Sequence, residues 1–258
     1  MTAIPPPLRA WSRDTQNHCA YEEIPHHWKT HDVLTFLADT GMYDACLYHV
    51  LDDAEKKRVL QFKSEYFKKR FMVSRSVLKQ VLRNIPGTGN AAGIVLTREK
   101  NGRISVRDRH DIFISLSYSG SCIALTIGKR KIGCDIEMVL PRELQKIRSV
   151  PLFDGGTGRD GKDLHQHLFQ VWTLLEAYAK FHDMSLAPLT KDRFFLSDAH
   201  FVSYLIDQRS ILSLASDTRP MKDALLWIDP GCGLASCCTG KKAPCLQPSP
   251  DGDTYVRA

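Results

Sequence analysis

The chain is 258 residues long, 43% hydrophobic and 25% charged, which excludes wholesale disorder and allows one large domain or two half-size ones. No apolar run approaches the roughly 20 residues needed to cross a bilayer. The 35 Lys and Arg against 29 Asp and Glu leave a formal charge of +6, suited to an anionic partner: nucleic acid, a phosphorylated small molecule or an acidic protein.

Met1 to Pro7 lack the basic cluster and apolar core of a secretory signal, so a cytoplasmic location is expected, with the eight cysteines as reduced thiols. Residues 1 to about 40 open with Ile4-Pro5-Pro6-Pro7 and read as an irregular, partly extended lead-in. Tyr43 to Leu51 reads as a first strand. From Asp52 the period turns helical, over Ala54 to Phe62 and then Glu65 to Leu82, with Phe67, Phe71, Ser74, Val77, Leu78 and Val81 on one side. Between Asp52 and Arg83 ten Lys and Arg stand against four acids, either a solvated helical face or an anion-binding one. Pro86-Gly87 and Gly89-Asn90 end that helix.

A strand-rich block follows: Gly93 to Thr97, Ile104 to Val106, Ile112 to Ser117, Cys122 to Ile127 and Lys131 to Val139, with turns at Asn101-Gly102 and Gly128. Asp154 to Lys162 is a glycine-rich loop by composition. His165 to Asp183 carries the strongest helical pattern, and short strands are expected at Arg193 to Leu196, Phe201 to Ile206, Ala224 to Ile228 and Leu234 to Thr239. A faint echo aligns Ile123 to Arg130 with Ala235 to Lys242, 112 residues on, and suggests two similar halves side by side.

Two short segments carry chemistry. In Gly133-Cys134-Asp135-Ile136-Glu137, strand alternation turns Asp135 and Glu137 to one face. Paired carboxylates repel unless a cation lies between them, and an all-oxygen set favours Mg²⁺; the plain alternative is a solvent-facing acid pair on an edge strand. In Trp172 to Lys180, Trp172, Glu176 and Lys180 are spaced four apart along one helix face. Glu176 could complete a metal site or act as a base, and Lys180 could reach a phosphate; the plain alternative is an ordinary Glu–Lys helix pair.

In that order, the two segments resemble the Gly-x-Asp-x-Glu and Trp-x-x-Lys-Glu-x-x-x-Lys motifs of the 4′-phosphopantetheinyl transferases of the monomeric surfactin-synthetase-activating type. Phe62 with Lys68-Lys69-Arg70, Leu96 to Arg103, and Ile114 to Gly120 resemble weaker marks of the same family. The resemblance spans about Tyr43 to Gly240. It implies an α+β fold of two similar α/β halves related by a pseudo-two-fold, here residues 41–150 and 151–258 after the lead-in, with the active site in the cleft between them. The implied reaction moves phosphopantetheine from coenzyme A to a serine of an acidic carrier protein and releases adenosine 3′,5′-bisphosphate. By the same resemblance Asp135, Glu137 and Glu176 would hold Mg²⁺, Glu176 would be the base, and Lys180 would steady the phosphate under attack. Arg58, Arg70, Arg98 and Arg103 would grip the 3′-phosphate and adenine side, joined by Ser117 and Tyr118. A monomeric, cytoplasmic enzyme of secondary metabolism, without nucleic-acid or membrane partners, is the expectation.

The chain departs from the family pattern at Leu175 and Tyr118, which stand where the family has Lys and His, and at Arg103, which stands in place of Lys. Leu175 and Tyr118 motivate an alternative, a catalytically silent coenzyme A- or nucleotide-binding protein that docks carriers, whereas Arg103 keeps the charge. In the second half the echo aligns Gln247 and Ser249 with Asp135 and Glu137, so one metal site per chain is expected. Cys232, Cys237, Cys238 and Cys245 lack zinc-site spacing and read as strand thiols. His26, His27 and His31 read as a polar surface segment. A nucleic-acid role rests on charge alone, because interleaved surface aromatics are not evident in the sequence.

Overall fold

The computed structural model describes residues 6–13, 18–43, 45–88, 93–99, 102–140, 161–187, 189, 198–217 and 223–228, with residues 45, 46, 49 and 161–163 described by backbone alone. The basic segment forms α2 (Asp53–Gln61) and α3 (Glu65–Arg83), which follow β1 (Leu8–Trp11), α1 (Ile24–Thr30) and β2 (Val33–Asp39). A reciprocal cap starts α2: the Asp52 carboxylate accepts the Glu55 N–H at 2.9 Å, and the Glu55 carboxylate accepts the Asp52 N–H at 3.1 Å. Val73, Val77, Leu78, Val81 and Leu82 of α3 are buried in the core with Leu34, Phe36, Ile123 and Leu125.

The remaining elements are β3 (Leu96–Arg98), β4 (Ile104–Val106), β5 (Phe113–Ser119), β6 (Cys122–Gly128), β7 (Ile132–Met138), α4 (Gly161–His182), β8 (His200–Ile206), β9 (Ser210–Ser216) and β10 (Asp223–Trp227). One four-stranded sheet has the order β10-β2-β6-β5, the other β1-β8-β9-β7, and β3-β4 is a separate ribbon. The fold is therefore mixed α+β. Each larger sheet takes strands from both sides of residue 150, and Leu37, Ala124, Ile136, Leu214 and Leu225 pack the two sheets into a common core. No helix among the described residues is long and apolar enough to cross a membrane.

The two sheets adjoin along β5 and β7, and the seam is made of side chains rather than a backbone ladder. Ser115 Oγ accepts the Cys134 N–H at 2.9 Å, and Ser119 Oγ accepts the Met138 N–H at 2.8 Å. Between them, Ser117 Oγ donates to the Asp135 carboxylate at 2.6 Å. On its other side β7 lies directly against α4. A Cβ at Gly133 would come within 1.9 Å of the Ala177 carbonyl oxygen, so only glycine permits this approach.

Three expectations change. The segment expected as an irregular lead-in contains β1, α1 and β2, and β2 lies inside a sheet, parallel to β10 and antiparallel to β6. Buried on both faces, Val33–Asp39 shows none of the alternation that marks a half-exposed strand. Tyr43 to Leu51 is no strand. It holds a 3₁₀ helix over Ala45–Val50, and Leu47, Val50 and Leu51 are buried at helical rather than period-two spacing. Ser210–Ser216, unassigned in the sequence, is the fully buried strand between β8 and β7. Its serines mask it, yet Ser213 is satisfied by Thr173 at 2.7 Å and Ser203 at 3.0 Å. The strands expected at Arg193 to Leu196 and Leu234 to Thr239, the glycine-rich stretch Asp154 to Asp160 and the second copy of the echo lie outside the described residues.

Candidate functional site

Strand β7 turns Asp135 and Glu137 the same way, and α4 brings Glu176 to meet them. One oxygen from each of the three lies within 4.8 Å of the others. Asp135 is only 1% exposed; its Oδ1 accepts from Ser117 Oγ at 2.6 Å and from Lys180 Nζ at 2.7 Å. Its Oδ2 is buried with no hydrogen-bond partner. Glu137 Oε2 accepts from Ser119 Oγ at 2.9 Å, and Lys180 Nζ stands 4.0 Å from the Glu176 carboxylate.

Burial, then the negative charge of Asp135 and Glu137, push the Glu176 carboxyl up to about 8, with Lys180 opposing the Asp135 effect. Burial would lower the Lys180 ammonium, but the charge of Asp135 and its neighbours more than offsets it and raises the value. Lys180 is thus the cation that bonds Asp135 and stands beside Glu176. The all-oxygen donors, the orphaned Asp135 Oδ2 and the raised Glu176 carboxyl together fit a hard divalent ion such as Mg²⁺.

Beside this triad opens a cleft of about 450 Å³. Arg58, Arg70, Arg98, Arg103, Tyr118 and Lys180 all line it, so Lys180 belongs to both triad and cleft. Ser117, expected among the ligand-binding residues, is bonded instead to Asp135 and Lys180. The Arg70 guanidinium lies 4.7 Å from the ring centre of Tyr118 and 4.9 Å from that of Phe67; Arg58 lies 5.2 Å from that of Phe62. Arginines and aromatic rings therefore alternate around the cleft, an interleaving that the linear sequence concealed. Burial raises the Tyr118 hydroxyl, with Ser74 and the charges of Arg75, Arg70 and Arg98 opposing, so Tyr118 is a neutral hydrogen-bonding group near pH 7.

Arg103 differs from its neighbours. Its Nη1 donates to Asp183 at 2.9 Å, and its Nη2 donates to the carbonyls of Lys180 at 3.2 Å and Ile132 at 3.5 Å. Asp183, in the left-handed region at φ 59°, ends α4 and also pairs with Lys131 at 3.1 Å. The guanidinium thus fastens the last turn of α4, the turn that carries Lys180, to the start of β7.

Arg75 was not singled out in the sequence, where it merged with the charge run of α3. It lines the cleft with its side chain 13% exposed and its Nη1 buried without a hydrogen-bond partner. Phe67 and Phe71, read in the sequence only as part of one side of the helix, line the cleft too. The spacing of Phe71 and Arg75, one helical turn apart, was the available signal. Leu175, one of the departures from the pattern the chain resembles, is 2% exposed in an apolar cluster with Tyr178 and Ala215.

Cys122 and Cys134 are free thiols, and burial pushes Cys122 up to about 12, far from reactivity. The C-terminal cysteines lie outside the described residues. His27 sits between His26 and His31, with ring centres 6.0 and 5.8 Å away, but the acidic triad is the metal-competent cluster among the described residues. Comparison with protein-family models and with curated proteins finds no match for the chain.

Proposed function

We propose that the protein is a Mg²⁺-dependent 4′-phosphopantetheinyl transferase, which moves the phosphopantetheine of coenzyme A to a serine of an acidic carrier protein. The observation that carries this reading is convergence. Carboxylates from β7 and α4 adjoin an arginine-lined cleft built by α2, α3 and the β3–β4 ribbon, and Lys180 is common to both. In this reading residues 41–150 and 151–258 are two similar halves, and the monomer works in the cytoplasm.

Arg58, Arg70 and Arg98 hold the nucleotide end of coenzyme A in the cleft by charge, Arg58 and Arg70 from positions stacked on aromatic rings. Asp135, Glu137 and Glu176 are the residues that would hold Mg²⁺. When bound there, Mg²⁺ supplies charge neutralisation on the pyrophosphate. Lys180 adds a second positive charge at the phosphate under attack. Glu176, which a bound cation would keep ionised despite the crowding that raises its carboxyl, accepts the proton of the carrier serine as its oxygen bonds to phosphorus. The phosphorus–oxygen bond to the nucleotide breaks, and adenosine 3′,5′-bisphosphate leaves. The formal charge of +6 favours docking of an acidic carrier.

The rival reading, a silent coenzyme A-binding protein, drew on Leu175 and Tyr118. Because Leu175 packs in the core, the missing Lys takes no charge from the cleft in this chain. Incubation with coenzyme A, Mg²⁺ and a panel of apo carriers tests the proposal: one carrier should gain the mass of a single phosphopantetheine group. Tight coenzyme A binding with no gain on any carrier would favour the silent reading.

A further inference from the structure

Beneath α4, one row of cross-strand partners differs from the rows beside it. On one side Ala215 and Phe201 pack with Tyr178 of α4, and on the other Ile211 and Leu205 pack with Phe169. Between them Asp135 of β7 pairs with Ser213 of β9, which pairs with Ser203 of β8. Thr173 of α4 meets this row through the Ser213 hydroxyl. Thr173, Ser203 and Ser213 are all fully buried. Alanine or valine would pack there without needing hydrogen-bond partners, as the apolar residues on either side do. The hydroxyls stand only in the row that ends at Asp135.

Each hydroxyl has one proton to give. That of Thr173 goes to the Gln170 carbonyl at 3.0 Å, the backward bond to the preceding turn that helical threonine favours. Thr173 Oγ1 is then the acceptor in its 2.7 Å bond with Ser213, and Ser213 the acceptor in its 3.0 Å bond with Ser203. The protons all run from β8 toward α4, and none is left for Asp135. Yet Ser213 is the direct partner of Asp135, a pairing that sets both side chains on one face with Cβ atoms about 5 Å apart. Asp135 Oδ1 is taken by Ser117 and Lys180, and Oδ2 is buried with no hydrogen-bond partner.

We propose that Thr173 is a positioning residue for the acidic triad: by accepting the Ser213 proton it keeps that hydroxyl turned away from Asp135, and so keeps Oδ2 bare for a divalent cation. This rests on the reading of Asp135, Glu137 and Glu176 as the residues that hold the metal. Without Thr173 Oγ1 the Ser213 hydroxyl turns to its partner carboxylate, because a hydrogen bond to a charged acceptor is stronger than one between two hydroxyls. A cation must then displace that bond before it can bind.

Titration of the full chain with Mn²⁺ tests this without coenzyme A and without turnover. An all-oxygen set takes Mn²⁺ as it takes Mg²⁺, and electron paramagnetic resonance counts the free ion. Thr173→Val, which keeps the shape of the side chain and loses its hydroxyl, should weaken Mn²⁺ binding by about tenfold, the size of one hydrogen bond to a charged group. Thr173→Ala should do the same, and Thr173→Ser should bind as the wild type does. Adding Ser213→Ala to Thr173→Val should restore most of the lost affinity, because the proton that covers Oδ2 is gone; two merely structural losses would add instead. Wild-type affinity in Thr173→Val and Thr173→Ala, or a double variant that binds no tighter than Thr173→Val alone, would overturn the role of Thr173 and leave the metal reading standing. A wild-type chain that binds no Mn²⁺, or binds it as well after Asp135→Asn, would overturn the proposal together with that reading.

Discussion

On the β7–α4 side of the site both carboxylates of β7 are held by donors from other elements: Ser117 and Lys180 on Asp135, Ser119 on Glu137. On the α3 side the guanidiniums of Arg58, Arg70 and Arg75 rest on aromatic rings, and Tyr66 and Phe67 beside them are 46% exposed. Hydrogen bonds fix direction to a fraction of an ångström, whereas stacking leaves a side chain free to slide over a ring. The acidic side is thus preorganised for a small ion with strict geometry. The basic side is soft, fit for a large flexible ligand whose position is corrected after it arrives.

The largest break in this contrast should come from Asp135→Asn, which removes a rigid ligand position. Turnover is expected to fall by about a thousandfold or more, as for loss of a main electrostatic element, with coenzyme A affinity little changed. Full retention of activity would remove Asp135 from the site. Ser117→Ala should follow, because it strips the donor from a buried carboxylate: a loss of about 1–3 kcal/mol in denaturant unfolding, together with weaker metal binding by calorimetry.

Arg103 and Arg98 then sharpen the comparison within the basic side. Arg103→Ala should lower kcat by about tenfold with KM steady, since it loosens the turn that carries Lys180, and Arg98→Ala should raise KM with kcat steady. The reverse pattern would return Arg103 to the phosphate. The last test is one of pH. With its carboxyl raised to about 8 from an ordinary value near 4.5, Glu176 keeps a proton in the folded chain that the unfolded chain has lost. Folded protein therefore binds more protons between those values, and metal-free stability should decline as pH rises from about 5 to about 8. Glu176→Gln should flatten that decline in Tm measured in EDTA; parallel slopes for the two proteins would exclude the effect.

The rigid side was legible in the sequence because its geometry is local. Strand alternation pairs Asp135 with Glu137, and helical spacing pairs Glu176 with Lys180, so two short segments define most of it. The soft side was half legible. Arg58, Arg70 and Arg98 could be named, but Arg75 depends on which flank of α3 faces the cleft, and that is set by packing on strands far along the chain. The serines of Ile114-Ser115-Leu116-Ser117-Tyr118-Ser119 carried a signal that went unread: their period of two places all three on one face of a strand. Strands β2 and β9 escaped or were misplaced for the opposite reason. Burial on both faces erases alternation, and β9 hides its serines in hydrogen bonds that only the tertiary structure supplies.

Those serine rungs have a consequence beyond the site. Strand β7 lies at the rim of its sheet, where unpaired N–H groups would invite another chain to add a strand. The hydroxyls of Ser115 and Ser119 occupy the N–H groups of Cys134 and Met138 and close that rim. Ser119, which also holds Glu137, both steadies an acid and blunts an aggregation edge, so a chain stripped of these serines should polymerise more readily, as light scattering would show.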